Sequence, residues 1–230
     1  MIKIVSFKIC PFVQRITALL EAKQVPYDIE YISLKDKPQW FLDISPNGQV
    51  PILITEANQV LFESDAIAEY LDEVHAPLET NTTPETRAQN RAWSYLASKH
   101  YLVQCSAQRS PTKDLLEERS ANLHKAFQKV EKILGDTPYF RGNSIGNVDM
   151  AWLPLLHRAH IIEKHTCYDF LKGVPKVKAW QASLLKTGLA EKSVSEDFEE
   201  NFTQFYLSKE TVLGQSANTS CGDDASSACC

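Results

Sequence analysis

The chain has 230 residues, 43% of them hydrophobic and 23% charged, which is typical of a globular protein that buries its own core. Lys and Arg total 24 against 29 Asp and Glu, so the net charge of −5 favours neither nucleic acid nor an anionic membrane as a partner. No apolar run approaches the roughly 20 residues of a membrane span, and no basic-then-apolar leader begins the chain, so we expect a cytoplasmic protein.

The first predicted elements place a cysteine between a strand and a helix. Residues 2–7 predict a strand, and four apolar residues then recur at helical spacing: Val13, Ile16, Leu19 and Leu20. Cys10 therefore falls at the N-cap, and Pro11 takes the first helical position, where its missing N–H costs nothing. The partial positive charge of a helix N-terminus lowers a cysteine pKa from its usual value of about 8.5. We therefore expect Cys10 to be a partly ionised nucleophile at neutral pH.

The alternative for Cys10 is a small buried hydrophobe. Residue 13 is Val, so the chain lacks a Cys-x-x-Cys pair at this position. A mixed disulfide on Cys10 would then need a soluble thiol to resolve it.

The following residues predict an α/β domain over residues 1–75. Strands are expected at residues 27–32, 50–54 and 60–63, and helices at residues 39–42 and 65–74, the second capped by Ser64. The resulting order of βαβ followed by ββα implies a parallel strand pair with a right-handed crossover and then an antiparallel hairpin.

Residues 76–84 are polar and bracketed by prolines, which predicts a linker. Beyond it the sequence predicts an all-α domain over residues 85–209. Its helices are expected at residues 86–108, 115–134, 148–163, 174–185 and 196–207. Residues 210–230 contain few apolar side chains, so we expect a disordered tail.

The six cysteines indicate neither a disulfide framework nor a metal site. Cys10, Cys105 and Cys167 are too far apart in sequence for the spacing of a zinc site. The other three lie in the predicted tail: Cys221, Cys229 and Cys230. A C-terminal lipidation motif would require cysteine at position 227, which is serine.

Several motifs together resemble the cytosolic glutathione transferases, most closely the omega class. They extend over most of residues 1–200: Cys10-Pro11-Phe12, the run from Leu34 to Phe41, Asn47-Gly48-Gln49-Val50-Pro51, Phe62-Glu63-Ser64, and Gly142-Asn143-Ser144-Ile145 with Asp149. The resemblance implies a thioredoxin-like N-terminal domain, an all-helical C-terminal domain, glutathione as cosubstrate and a homodimer.

The resemblance also implies a glutathione site around catalytic Cys10, comprising Phe12, Lys37, Val50, Pro51, Glu63 and Ser64. Glu63 and Ser64 would hold the γ-glutamyl end at a helix N-terminus, which favours carboxylates. Val50, before the cis candidate Pro51, would bond the cysteinyl part, and Lys37 would contact the glycyl carboxylate.

An acceptor pocket between the domains is assigned by analogy to five aromatic residues, for which core packing is the alternative: Trp93, Tyr95, Tyr101, Trp152 and Tyr206. One position departs from the family pattern. Gly146 stands where Ser or Thr would cap the helix of Asp149, which predicts a loss of several tenths of a kcal/mol unless Ser144 caps instead.

Cys10 together with this resemblance predicts glutathione-dependent thiol transfer. The resemblance to the omega class implies that this includes disulfide exchange, deglutathionylation and dehydroascorbate-type reduction. Two alternatives stay open. In the first, glutathione's own thiolate is conjugated to an electrophile, and Ser6 is the other hydroxyl near the end of the strand. In the second, the fold serves as a non-enzymatic binding or regulatory protein.

Overall fold

The computed structural model describes residues 1–80 and 82–217. The first 74 residues contain β1 (Ile2–Ser6), α1 (Pro11–Lys23), β2 (Tyr27–Tyr31), α2 (Gln39–Ile44), β3 (Ile52–Ile54), β4 (Val60–Phe62) and α3 (Ser64–Val74). The sheet order is β2-β1-β3-β4, with β1 parallel to β2 and antiparallel to β3. The predicted βαβ and ββα units are confirmed.

The rest of the described chain is helical. Its elements are α4 (Pro84–Gln108), α5 (Lys113–Glu131), α6 (Asn147–Thr166), α7 (Pro175–Leu185), α8 (Leu189–Lys192), α9 (Phe198–Tyr206) and α10 (Val212–Ser216). This confirms the predicted all-helical C-terminal part. None of the helices in residues 1–80 and 82–217 is long and apolar enough to cross a membrane.

Two details of the predicted elements are wrong. Glu63, not Ser64, is the N-cap of α3, and Ser64 is the first helical residue. The tail is not disordered from residue 210, because α10 forms there: Leu213 is buried and the Val212 N–H donates to the Ser110 carbonyl at 2.9 Å. The three tail cysteines and residue 81 of the predicted linker lie outside the described residues, and the domain boundaries stay a prediction.

Helix α1 lies between the sheet and the helical half. On the far face of the sheet, α2 helps to cover a small apolar cluster: Val5, Ile32, Phe41 and Ile52. On the near face, α1 buries Ile16 and Leu20 completely and packs against both α3 and α6. Helix α6 is the central helix of the second half and also packs against α4 and α7. The start of α1 is therefore fixed by both halves of the molecule.

The start of α6 is organised by a buried carboxylate. Asp149 accepts hydrogen bonds from the N–H of Phe140 at 3.0 Å, the N–H of Gly146 at 2.8 Å and the indole Nε1–H of Trp180 at 2.6 Å. Burial raises the pKa of Asp149 to about 6, against these three donors, which lower it. The carboxylate joins the loop before α6 to α7.

The missing capping side chain at Gly146 has a structural replacement. A Cβ at Gly146 would lie 2.6 Å from the Glu79 Cδ, so the glycine leaves room for this carboxylate. The Glu79 carboxylate accepts a hydrogen bond from the Asn147 N–H at 3.4 Å. It also accepts one from Asn90 Nδ2 of α4 at 3.0 Å, so it links the start of α6 to α4. Glu79, and not Ser144, thus supplies an acceptor at the start of α6.

We predict that Asp149→Ala lowers the free energy of unfolding by about 3 kcal/mol or more, because it strands three buried donors. Urea unfolding at pH 7 measures this loss. Asp136→Ala, which removes an exposed carboxylate from the loop before α6, is the matched control and should change stability by less than about 0.5 kcal/mol. Equal losses in the two variants would contradict the capping role.

Candidate functional site

A cavity of about 1120 Å³ opens between the sheet half and the helical half. This volume exceeds the roughly 300–1,000 Å³ of most small-molecule pockets, so it can hold more than one small ligand. Cys10 lines the cavity together with every residue assigned above to glutathione: Phe12, Lys37, Val50, Pro51, Glu63 and Ser64. The structure thus brings together side chains that are up to 54 positions apart in sequence.

Cys10 occupies the N-cap of α1, with Pro11 at the first helical position as predicted. The N–H groups of Val13 and Phe12, the Arg158 cation and the Ser6 hydroxyl all lower the pKa of the Cys10 thiol. Burial outweighs them, because Cys10 is only 3% exposed, and the pKa is raised above its usual value. The prediction of a partly ionised thiol at neutral pH is therefore wrong for the chain by itself.

The sheet side of the cavity is fixed by loop contacts. Lys37 Nζ donates to the Gly48 carbonyl at 2.7 Å, which holds the lysine at the cavity wall. The Val50–Pro51 peptide bond is cis, as the sequence suggested. Asn47 Nδ2 donates to Glu63 Oε1 at 3.1 Å across the two loops.

Glu63 has a φ of 65°, which is uncommon for a residue with a side chain. Such strained conformations cluster at binding sites, where the surrounding contacts enforce them. The contacts that hold Glu63 in this conformation come from the residues after it. Asp65 accepts hydrogen bonds from Arg15 of α1 and from Ser98 of α4, the latter at 3.1 Å. The start of α3, with Ser64, is thus held in place by both halves.

The predicted acceptor aromatics are mostly in the wrong place. Of the five, Tyr206 lines the cavity. Trp152 is completely buried and its indole donates to the Trp93 carbonyl, while Tyr95 donates to Glu69. Tyr101 is also completely buried and packs its ring edge against Phe12, with centroids 5.1 Å apart. Core packing therefore explains Trp93, Trp152 and Tyr101, while Tyr95 is half-buried and is held by its bond to Glu69.

Sequence reasoning missed the residues that form the helical wall of the cavity. They are Leu102, Cys105, Ser106, Arg109 and Phe205, which lie beside the predicted Tyr206. The α4 members follow a spacing of three and four residues, which puts them on one helix face. That face holds the exposed Leu102 next to polar side chains, and this mixture could have indicated a cavity wall instead of a core. The Arg109 guanidinium lies over the Phe205 ring, 4.8 Å from its centroid.

Behind Cys10, a buried polar network joins α1 to α6. Gln14 Nε2 donates to His157 Nδ1 at 2.8 Å, and the Arg158 guanidinium donates to the Gln14 Oε1. Arg158 also donates to the carbonyl of Ile9 at 3.3 Å, directly before Cys10. Burial, and then the Arg158 cation, lowers the pKa of His157 to about 3, so this imidazole stays neutral.

Among the described residues, no group of three or more His, Cys, Asp or Glu is arranged to hold a metal ion. The cavity itself presents a thiol at a helix N-terminus, with hydrogen-bonding groups on the sheet side and a wall of apolar and polar side chains on the helical side.

Comparisons with known proteins cover both halves of the chain. A family model described as glutathione S-transferase, N-terminal domain, matches residues 9–74, and one described as glutathione S-transferase, C-terminal domain, matches residues 113–181. The N-terminal match includes Cys10 and all six residues assigned to glutathione.

Individual relatives agree with the family models. Glutathione S-transferase omega-1 of Sus scrofa is 31% identical over 189 residues, 81% of this chain and 77% of the relative. Glutathione S-transferase DHAR2 of Arabidopsis thaliana is 33% identical over 158 residues, 68% of this chain and 70% of the relative. The crystal structure of glutathione transferase Omega 3C from Trametes versicolor is similar with a TM-score of 0.73 at 25% identity, covering 85% of this chain and 89% of that one.

We predict that His157 makes the free energy of unfolding decrease as the pH falls. Its pKa is about 3 in the folded chain and about 6.5 in the unfolded chain, so its contribution is complete above pH 6.5 and is lost as the pH falls toward 3. Between pH 7 and pH 5, measured by urea unfolding, the free energy of unfolding of the native chain should fall by about 2 kcal/mol more than that of His157→Gln.

Asp149 has the opposite effect, because its raised pKa adds stability as the pH falls through about 6. This effect is present in the native chain and in His157→Gln, so it cancels when the two are compared. The same pH dependence in the native chain and in His157→Gln would contradict a buried neutral imidazole.

Proposed function

The chain belongs to the glutathione S-transferase family, and we propose that this glutathione transferase works by thiol transfer, with Cys10 as the nucleophile. The observation that carries the proposal is the position of Cys10. A thiol stands at the N-terminus of α1, inside the cavity, with two backbone N–H groups that favour its ionised form.

Glutathione would occupy the sheet side of the cavity. Glu63 and Ser64, at the start of α3, suit the γ-glutamyl end, because free N–H groups at a helix N-terminus attract its carboxylate. Lys37 suits the glycyl carboxylate and Val50 the cysteinyl backbone. Phe12 and Pro51 complete the wall, and this arrangement brings the glutathione sulfur toward Cys10.

The proposed reaction has two exchange steps. The Cys10 thiolate attacks the glutathionyl sulfur of a mixed disulfide, forms a Cys10–glutathione disulfide and releases the acceptor as a thiolate. A second glutathione, as its thiolate, attacks the glutathionyl sulfur on Cys10, forms glutathione disulfide and restores the Cys10 thiolate. The proton lost by this glutathione goes to the released acceptor thiolate. The net change is therefore one mixed disulfide and one glutathione converted to a free thiol and glutathione disulfide.

The helical wall would bind the acceptor. Leu102 and Phe205 supply exposed apolar surface, and Arg109 and Tyr206 supply a cation and a hydroxyl. The remaining volume of the cavity supports a second ligand beside glutathione. An acceptor with both an apolar part and a polar group suits this wall. The homodimer implied by the family resemblance and the cytoplasmic location predicted from the sequence belong to the same proposal.

Conjugation would need a hydroxyl that stabilises glutathione's own thiolate. The hydroxyl nearest to the Cys10 thiol in sequence, Ser6, is completely buried on β1 and faces that thiol from the core. It does not line the cavity in which glutathione would lie. This favours thiol transfer over conjugation.

We predict that Cys10→Ser loses exchange between glutathione and a glutathionylated disulfide, down to the uncatalysed rate, because the mixed disulfide needs a sulfur at this position. The native chain and the variant are assayed side by side for disulfide exchange and for conjugation to a chloroaromatic acceptor.

A thermal shift with glutathione serves as the control, since the serine variant keeps the proposed binding residues and should still be stabilised. Exchange activity retained by Cys10→Ser would overturn the mechanism. Conjugation as the dominant activity of the native chain would favour the first alternative, and a native chain with no glutathione-dependent shift would favour a non-enzymatic role.

A further inference from the structure

Arg158 is an unusual residue for the centre of α6. Its side chain is completely buried, yet no Asp or Glu of residues 1–80 or 82–217 forms an ion pair with it. A guanidinium does not lose its proton in proteins, so it stays a cation when buried. A buried cation without an anion is strongly unfavourable, and such groups are found where a charge is needed for function.

The hydrogen bonds of Arg158 all go to neutral acceptors. It donates to the carbonyl of Pro154 at 3.1 Å, to the carbonyl of Ile9 at 3.3 Å and to Gln14 Oε1. Its Nε is buried without a hydrogen-bond partner. The guanidinium lies over the Phe198 ring, 5.3 Å from the centroid, which adds a weak cation–π contact and no counter-charge.

Every titratable group that faces Arg158 is neutral until it loses a proton. They come from three elements packed around it and, in order of decreasing electrostatic interaction, they are Cys105 on α4, Tyr206 on α9, Cys10 at the start of α1 and Tyr101 on α4. His157, its neighbour on α6, is also neutral. Burial raises the pKa of both tyrosines and both cysteines. Of the four, Cys10 is the one at a helix N-terminus, where backbone N–H groups also favour the anion.

We propose that Arg158 is the counter-cation of the Cys10 thiolate, supplied to the sheet half by the helical half of the chain. Arg158 does not line the cavity and so has no place in contact with glutathione or the acceptor. It is a positioning residue that acts through Cys10. The inference rests on the proposed role of Cys10 as the nucleophile.

The geometry gives Arg158 two actions on the same residue. Its bonds to Ile9, one residue before Cys10, and to Gln14, one helical turn after it, fix the turn that carries the thiol. Its charge stabilises the thiolate at a position where both side chains are buried and electrostatic interactions are strong. Ionisation of Cys10 in turn gives the buried cation an anionic partner.

The test measures the Cys10 thiol directly. Native protein, Arg158→Met and Arg158→Lys are alkylated with iodoacetamide between pH 6 and pH 10.5, and the rate is followed by the mass of the tryptic peptide of residues 9–15. Only the thiolate reacts, so the pH midpoint reports the ionisation of Cys10. Methionine removes the charge at similar length, and lysine keeps it.

We expect the midpoint of Arg158→Met to rise by about one pH unit or more, with alkylation at pH 7 about tenfold slower. Arg158→Lys should restore most of the native rate, because the charge is retained. Arg119→Met, which removes an arginine that donates to the Ser106 carbonyl of α4 and to the Ser110 hydroxyl just after that helix, is the matched control and should keep the native midpoint.

An unchanged midpoint in folded Arg158→Met would overturn the proposal. An equal rise in Arg158→Lys would also overturn it, because it would show that the hydrogen bonds of Arg158 matter and its charge does not. If Arg158→Met does not fold, Gln14→Glu tests the same idea, because a carboxylate beside the guanidinium neutralises it and should also raise the midpoint. The assay needs no turnover. A failure of the proposed thiol transfer, shown by active Cys10→Ser, is therefore distinguishable from a failure of this inference.

Discussion

The contact between α1 and α6 determines both the fold of the site and its electrostatics. Gln14 and Arg158 make it through hydrogen bonds that are buried and therefore strong, and that would be costly to leave unmade. The same contact ends one residue before Cys10, at the Ile9 carbonyl. A change in the packing of the helical half would therefore move the thiol itself. The position of Cys10 is therefore fixed by both halves of the chain.

The site balances two opposed effects on one thiol. Burial stabilises the protonated form of Cys10, while the start of α1 and the Arg158 cation stabilise the thiolate. A nucleophile with a very low pKa would be ionised at all times but intrinsically weak, since nucleophilicity falls with pKa. A buried thiol with a permanent cation behind it keeps a stronger sulfur. The N–H groups at the start of α1 and the Arg158 cation favour the ionised form of this sulfur.

Local sequence signals were sufficient for most of the sheet half. The strand and the cysteine before α1, with Pro11 at its first position, predicted its N-terminus, and the family resemblance around Lys37, Val50 and Glu63 predicted residues that line the same cavity as Cys10. The aromatics failed for a physical reason. Residues such as Trp152 and Tyr101 recur at helical spacing whether a helix faces a core or a cavity, and periodicity alone does not distinguish the two. The link between Gln14 and Arg158 joins residues 144 positions apart and requires the tertiary fold.

The division of the cavity follows from its construction. Its sheet side is held by backbone geometry, including the strained Glu63 and the tie from Lys37 to Gly48, so changes there would disturb the fold. Its helical side consists of side chains on one face of α4 and on α9, among them the exposed Leu102 and Phe205. These can change without loss of a backbone contact. In the proposed function, glutathione recognition would therefore be tied to the sheet, and the choice of acceptor to two helix faces that can vary separately from it.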